Sequence, residues 1–588
     1  MKATYSPILS GIFTILFALG LWLLTGFTQN THPLVLKIGA ILICVGLIGL
    51  LLKGLSIYKR EKNPLSNFLL PLTIGIGIAI FLGLIEHFAR YLDFPYPLDD
   101  GEGFCLNQAV LISSGQKLYP PIGPAPYIVT NYPPVFPLIV SFFTNPDKPA
   151  FFAGRMVSVI STIAIMFFSA GCVAIATGKN RISSLTAWLV AASPVIYFWG
   201  ALHRVDVLAS ALSIIGLYVA MSANGKRIYL SVPFFLAAFY TRQSSVEGFV
   251  AVAIALALQF SSPEKTDSRK RGSSGLGKAI LYAVLWAIGA VLIFVILQVS
   301  THGEFWRHTV EYTRTRFFPG RIIAAMEWIV PSHAILIAVA LLALPYALKD
   351  SRRRILGLFF LASLAISLLS GKVGSDLNYF LNLAIASACL AGCFAQDCIE
   401  AAYKASSKLI WASAAFLLIP GALIQSGFFE GDRAYSFTPI EEDYKAGEFI
   451  TEILGQDKGP ILCEDEGFCL LSGHKVIFNP FIMSELAREG IWDQTPFVNS
   501  IETKEFNRIM LRFDVNDPSN DDKPGAGGNA GWDRFTPEME KAISGNYEID
   551  RNFANPIFMR RWWFIYKPKS PGENDAVTEG KNLLDNTG

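Results

Sequence analysis

The sequence predicts a polytopic α-helical membrane protein with about thirteen transmembrane helices and a small C-terminal α/β domain outside the membrane. Three observations predict it. Charged residues make up only 16% of the 588 residues and hydrophobic ones 52%, whereas a soluble domain carries about 25% charged residues. Separate apolar runs of about 17–25 residues recur along the chain, each long enough to cross a bilayer as a helix. From about residue 428 the pattern changes: charges return, and apolar segments shrink to stretches such as Pro460-Ile461-Leu462. Turn signals such as Asp517-Pro518-Ser519-Asn520 appear between them. The net charge of +2 says little about partners. No basic block interleaved with aromatics points to nucleic acid.

In chain order, the runs at 8–27 and 34–57 predict two additional helices within a segment 1–67. The first, Ile8 to Phe27, is longer than the apolar core of a signal peptide and has no small-residue cleavage site after it, so it reads as a retained span. A transmembrane module follows over 68–427, with spans at 68–89, 151–176, 183–201, 205–222, 279–299, 329–348, 355–370, 378–396 and 408–427. Two shorter runs, 228–241 and 246–260, read either as tilted helices or as helices broken around Thr241-Arg242-Gln243. A long loop at 90–150 interrupts the module. The α/β domain spans 428–569, and 570–588 reads as a disordered tail.

Orientation follows from Lys and Arg in the short loops. Lys59-Arg60-Glu61-Lys62, Lys179-Asn180-Arg181, Arg269-Lys270-Arg271 and Arg352-Arg353-Arg354 fall on one alternating set. That parity puts the N-terminus and these loops in the cytoplasm. It puts the 90–150 loop, a 300–328 loop and everything after about 428 on the outer side.

The candidate chemistry gathers on that outer side. Pro97-Leu98-Asp99-Asp100-Gly101-Glu102-Gly103 places three carboxylates in four positions next to an apolar run, where an ionised group costs about 2.5–3.5 kcal/mol on insertion scales. It reads either as a solvated turn or as an acidic active-site loop. The 300–328 stretch is rich in arginine for an outer loop, with Arg307, Arg314, Arg316 and Arg321. Guanidinium forks suit phosphate, and snorkelling to headgroups is the alternative. Arg204 and Asp206 read as an ion pair or as site residues, as does Arg242. Lys372, Asn378 and Tyr379 either donate to sugar or phosphate or simply start a helix. Tyr132-Pro133-Pro134 predicts a stiff extended segment. In the tail, Glu464-Asp465-Glu466 reads as a solvated loop, and the flanking Cys463 and Cys469 can form a disulfide if that segment is exported. The other cysteines of the apolar runs read as small packing residues. No His or Cys spacing suits zinc.

With Ala109, Gly115 and Leu118-Tyr119 after the acidic loop, then Tyr132-Pro133-Pro134 and Arg155, the chain resembles the polytopic GT-C glycosyltransferases. It is most similar to bacterial members related to protein O-mannosyltransferases and to the aminoarabinose transferase of lipid A. Arg204-Val205-Asp206, Thr241-Arg242-Gln243 and Gly374-Ser375-Asp376-Leu377-Asn378-Tyr379 extend the likeness over roughly residues 90–400. The resemblance implies a glycosyltransferase, hexosyl or pentosyl, of the bacterial inner membrane. It would take a polyprenyl-phosphate-linked sugar as donor and a lipid, glycan or protein as acceptor, on the extracytoplasmic face. The base would be Asp99, Asp100 or Glu102, with Asp99 first and Glu102 next. Donor phosphate and sugar would meet Arg204, Asp206, Arg242, Arg314, Arg316, Arg321, Lys372, Asn378 and Tyr379. Some family members use a divalent metal and others do not, and the acidic cluster offers oxygen ligands for Mg²⁺ or Mn²⁺. Two departures stand out: two spans precede the usual first one, and the acidic motif reads Asp-Asp-Gly-Glu-Gly. A transporter or flippase of a lipid-linked saccharide and a membrane scaffold are the competing functions. Transporters tend to show paired halves with ionisable residues at the midplane, and no repeat is evident here.

Overall fold

The computed structural model describes residues 64–405 and 441–570, apart from 124, 180–182, 259–274, 518–533 and 556–560, together with the isolated positions 14, 418 and 439. The expected spans 8–27, 34–57 and 408–427 lie essentially outside the described residues, as do the basic loop around Arg269 and the tail after 570.

Seven helices among the described residues are long and apolar enough to cross a membrane. Helix α1 (Pro64–Asp93) leads into the acidic loop. The loop itself starts helix α2 (Asp100–Ser113), because Asp99 adopts the extended N-cap geometry and its carboxylate accepts from the Gly101 amide at 2.9 Å. Asp100 and Glu102 in the first turn favour the positive end of the helix. Gly115, at φ 68°, turns the chain out of it. After the short α3 (Val135–Ser141) comes the span α4 (Phe152–Thr177).

The run at 183–201 is two short helices, α5 (Ser183–Ala191) and α6 (Pro194–Trp199), and not one span. Pro194 has no N–H to continue the first helix and suits the first turn of the second. The span α7 (Val205–Ser222) has the expected bounds. Helices α8 (Val232–Phe239) and α9 (Glu247–Leu258) are the broken pair, and Arg242 lies in the non-helical break. The spans α10 (Gly275–Ser300), α11 (Pro319–Lys349), α12 (Arg354–Ser367) and α13 (Leu381–Ala405) complete the membrane part. Helix α11 begins at Pro319, so the expected outer loop 300–328 ends early, and Arg321 sits in the first turn of a helix.

The C-terminal part opens with α14 (Glu441–Gly455) and β1 (Ile461–Cys463). Three short helices follow, α15 (Glu466–Leu471), α16 (Pro480–Arg488) and α17 (Thr495–Glu502), then β2 (Arg508–Leu511). Helix α18 (Pro537–Asn546), β3 (Tyr547–Asn555) and β4 (Arg561–Pro568) close it. The strands form one sheet in the order β1-β2-β4-β3. β1 and β2 run parallel, which requires the helical crossover between them, and the other two pairings are antiparallel.

This domain does not stand apart from the long loop at 90–150. Ile122, Tyr127 and Val129 of the loop lie in the same apolar core as Phe478, Phe497 and Ile509. Tyr127 donates its amide to the Ile477 carbonyl at 2.7 Å and accepts from the Asn479 amide at 3.0 Å. A segment more than 300 positions earlier in the chain thus helps to close the domain's core.

Candidate active site

The three carboxylates of the acidic loop have three different fates. Glu102 is fully buried and forms a two-pronged ion pair with Arg155, Nε to Oε1 at 2.9 Å and Nη2 to Oε2 at 2.6 Å. The Leu98 and His203 amides donate to it as well, each at 2.7 Å. Those four bonds fill its acceptor positions. Burial acts to raise its pKa, but the Arg155 charge and the hydrogen bonds outweigh it and hold the carboxyl below its usual range. Arg155 in turn donates to the carbonyls of Tyr91, Phe94 and Tyr96, which fixes the exit of α1 against the loop.

Asp100 points the other way and pairs with Arg512 and Arg534 of the C-terminal domain. Burial again acts to raise its pKa, and these two guanidinium charges more than reverse it.

Asp99 is different. Its Oδ2 caps α2 and accepts from Arg204 Nη1 at 2.6 Å. Its side chain keeps about 12% of its surface open. No hydrogen-bond donor meets Oδ1 among the described residues. Burial pushes its carboxyl up to about 6, Arg204 pulls it down, and the charges of Asp100, Asp376 and Glu102 push it further up. Gly101 is needed here, because a Cβ at this position would run into the Arg204 guanidinium.

Behind Asp99 lies a second layer. Asp206, fully buried on the first turn of α7, is 3.2 Å from Arg242 Nη1 and 3.6 Å from Arg204 Nε. Asn378 Nδ2 donates to it at 2.9 Å. Arg242 lies over the Tyr379 ring, 4.2 Å from its centroid. The structure therefore brings Asp99, Arg204, Asp206, Arg242, Asn378 and Tyr379 together from four separate parts of the chain. Arg321 borders the group, donating to the Ser375 carbonyl at 3.0 Å beside Asp376.

Three expected phosphate ligands stand elsewhere. Arg316 is tied to Glu485 of the C-terminal domain at 3.0 Å. Lys372 Nζ donates to the Thr313 carbonyl at 3.0 Å, beside the strand-like bridge between Phe317 and Lys372. Arg314 is exposed and makes no contact with the acidic cluster among the described residues. The physical reason is local: Glu485 of the C-terminal domain takes Arg316, and the Thr313 carbonyl takes Lys372.

The acidic turn Glu464-Asp465-Glu466 is not solvated; its residues are 2%, 2% and 6% exposed. Asp465 caps α15 and pairs with Arg512 at 2.6 Å, and Glu464 is 3.4 Å from Arg534. Cys463 and Cys469 form the disulfide around it. The sequence held a signal for this contact: Glu-Gly-Phe-Cys-Leu occurs at 102–106 and again at 466–470. The two copies meet in space, and a Cβ on Gly103 would strike the Gly467 backbone.

Among the described residues no three His, Cys, Asp or Glu converge to hold a metal ion. Each loop carboxylate faces a guanidinium, which does not fit the oxygen-ligand set of Mg²⁺ or Mn²⁺.

No protein-family model matches the chain, and no curated protein matches it. Solved structures do. ArnT from Cupriavidus metallidurans in the apo state aligns over 84% of this chain and 97% of its own, with a TM-score of 0.55 at 11% identity. ArnT bound to undecaprenyl phosphate aligns over 83% and 97%, again with 0.55 and 11%. The Archaeoglobus fulgidus oligosaccharyltransferase in complex with Zn and sulfate is a looser likeness, with a TM-score of 0.43 at 11% identity over 73% of this chain and 67% of its own, and no weight rests on it. Over 84% of its length this chain shares the multi-span fold of ArnT.

Proposed function

We propose that the protein is a membrane glycosyltransferase that moves a sugar from a polyprenyl-phosphate donor to an acceptor hydroxyl or amine on the extracytoplasmic face. One observation carries this reading: in an ArnT-like fold, Asp99 is the loop carboxylate that keeps an oxygen without a donor, beside two arginines oriented by a shared buried aspartate. ArnT has been captured with undecaprenyl phosphate, which supports a polyprenyl-phosphate donor here.

In the proposed reaction Asp99 Oδ1 takes the acceptor's proton as the acceptor atom attacks the anomeric carbon. The bond from that carbon to the phosphate oxygen breaks, and the electron pair leaves with the phosphate. Arg204 and Arg242 stabilise the charge that grows there. Asp206 lies 3.2 Å from Arg242 and 3.6 Å from Arg204, so its charge draws both guanidinium groups to the site before reaction. Glu102 and Arg155 hold the loop and take no proton. A carboxyl at about 6 is ionised near neutral pH, as a base must be.

The test uses the purified protein in nanodiscs with a panel of undecaprenyl-phosphate sugars, reading release of undecaprenyl phosphate and acceptor modification by mass spectrometry. Wild type is expected to turn over at least one donor and Asp99→Asn none at a comparable rate. Equal turnover by the two would remove Asp99 from the reaction.

A further inference from the structure

The acidic loop is held by the far end of the chain. Arg512 leaves β2 and reaches two carboxylates at once, Asp100 of the loop and Asp465 of the tail's own acidic turn, the latter at 2.6 Å. Its guanidinium also lies over the Trp563 ring, 5.0 Å from the centroid, which packs one of its faces. Arg534 takes the other oxygen of Asp100 and lies 3.4 Å from Glu464. The disulfide between Cys463 and Cys469 brackets the turn that supplies Glu464 and Asp465. Gly103 and Gly467 let the two helix starts touch backbone to backbone. Asp100 adjoins Asp99 in sequence, so whatever fixes Asp100 fixes the first turn of α2 and its cap.

We infer that Arg512 and Arg534 are positioning residues of the transfer reaction, supplied by the C-terminal domain to clamp Asp100, cancel its charge and leave the open oxygen of Asp99 turned to the acceptor. The inference rests on the reading of Asp99 as the base. Its physical content is electrostatic as well as geometric. Asp99 faces Arg204 from the start of α7, Asp376 from the turn before α13, and Glu102 and Asp100 from its own loop. Glu102 is neutralised by Arg155. Asp100 has its largest compensating charges from Arg512 and Arg534 of the C-terminal domain, with Arg204 a smaller one. Without those two charges Asp100 repels a negative Asp99 and raises its proton affinity. Without Asp100 the two arginines are left in excess, and Asp99 becomes more acidic.

A carboxyl-labelling titration tests this on the full chain in nanodiscs and needs no sugar donor. A water-soluble carbodiimide with glycine ethyl ester labels the protonated Asp99 carboxyl, and tandem mass spectrometry locates the label as pH is varied. Arg512→Gln is expected to move the Asp99 midpoint up, and Asp100→Asn to move it down, each by on the order of one pH unit. Arg512→Lys, which keeps the charge, is expected to stay near wild type. A purely structural tie gives no such opposite pair of shifts. An Asp99 midpoint that stays put or rises in Asp100→Asn, or that moves up in the charge-conserving Arg512→Lys, overturns the inference even if Arg512→Gln does not fold. Full turnover by Asp99→Asn in the nanodisc assay would instead remove the base while leaving the labelling shifts intact, so the two failures are distinguishable.

Discussion

Two acidic helix starts, Asp99 to Gly103 and Glu464 to Gly467, are built from nearly the same residues and end in opposite states. Both follow an N-cap aspartate that accepts from the amide two positions on. Both run into Glu-Gly-Phe-Cys-Leu, and they lie against each other. In the tail's turn burial governs: Asp465 is pushed up to about 7 and Glu466 to about 8, with burial the main cause in each. In the loop, arginines govern two of the three positions, and the third, Asp99, keeps an open oxygen. The difference teaches that acidic composition does not set ionisation here. The supply of guanidinium groups does: Arg155, Arg204, Arg512 and Arg534 each face the loop, and the tail's turn shares two of these.

The largest expected break in that contrast is Asp99→Asn. It replaces the carboxylate with a neutral amide that takes no proton and is expected to lower the transfer rate by roughly 10²–10⁴-fold, measured side by side with wild type in detergent. Glu102→Gln acts on stability instead. It strands Arg155 in a fully buried site and is expected to cost about 3–5 kcal/mol of stability, read from denaturant or thermal unfolding. Gly103→Ala pushes a methyl group into the Gly467 backbone at the point where the two starts touch. A loss of about 1–3 kcal/mol is expected, as for other overpacked sites, with faster amide exchange in both helix starts.

The smallest effect, and the one that sharpens the contrast most, is in pH. Asp99 must be ionised to act as base, so activity is expected to fall as pH drops through about 6. Stability runs the other way. Asp465 and Glu466 have folded pKa values raised from ordinary ones of 3.8 and 4.5, so their contribution is full below those ordinary values and is lost as pH rises through about 7 and 8. Unfolding midpoints that rise from pH 8 to pH 5 while turnover falls would match. Parallel trends would contradict the separate roles of the two starts.

The membrane architecture was legible in the sequence because a bilayer leaves few options: 205–222 was readable to the residue. The break between α5 and α6 was less so, since an apolar run hides a Pro that begins a new helix. Short motifs singled out Asp99, Arg204, Asp206, Arg242, Asn378 and Tyr379, which lie together in the fold; their roles are those proposed above. Arg512 and Arg534 were not singled out, because an arginine beside a strand in a charged tail has no local mark of its distant partner. The tail's acidic turn misled for the same reason: three consecutive acids look solvated until their partners are in place. Arg316 and Lys372 matched a phosphate site in type, but their partners, Glu485 of the C-terminal domain and the Thr313 carbonyl, have no local mark in the sequence.

The contact between Asp100 and Arg512 spans 412 positions of chain. At a synthesis rate of about 5–20 residues per second, roughly 20–80 s separate the two in the making of one molecule. For that interval the loop has its carboxylates but lacks both arginines of the far domain, and Ile122, Tyr127 and Val129 have no core to enter. The same contact that ties the finished protein together therefore works as a clock: each copy passes that interval with an unfinished loop, and the making of the C-terminal domain decides when it ends.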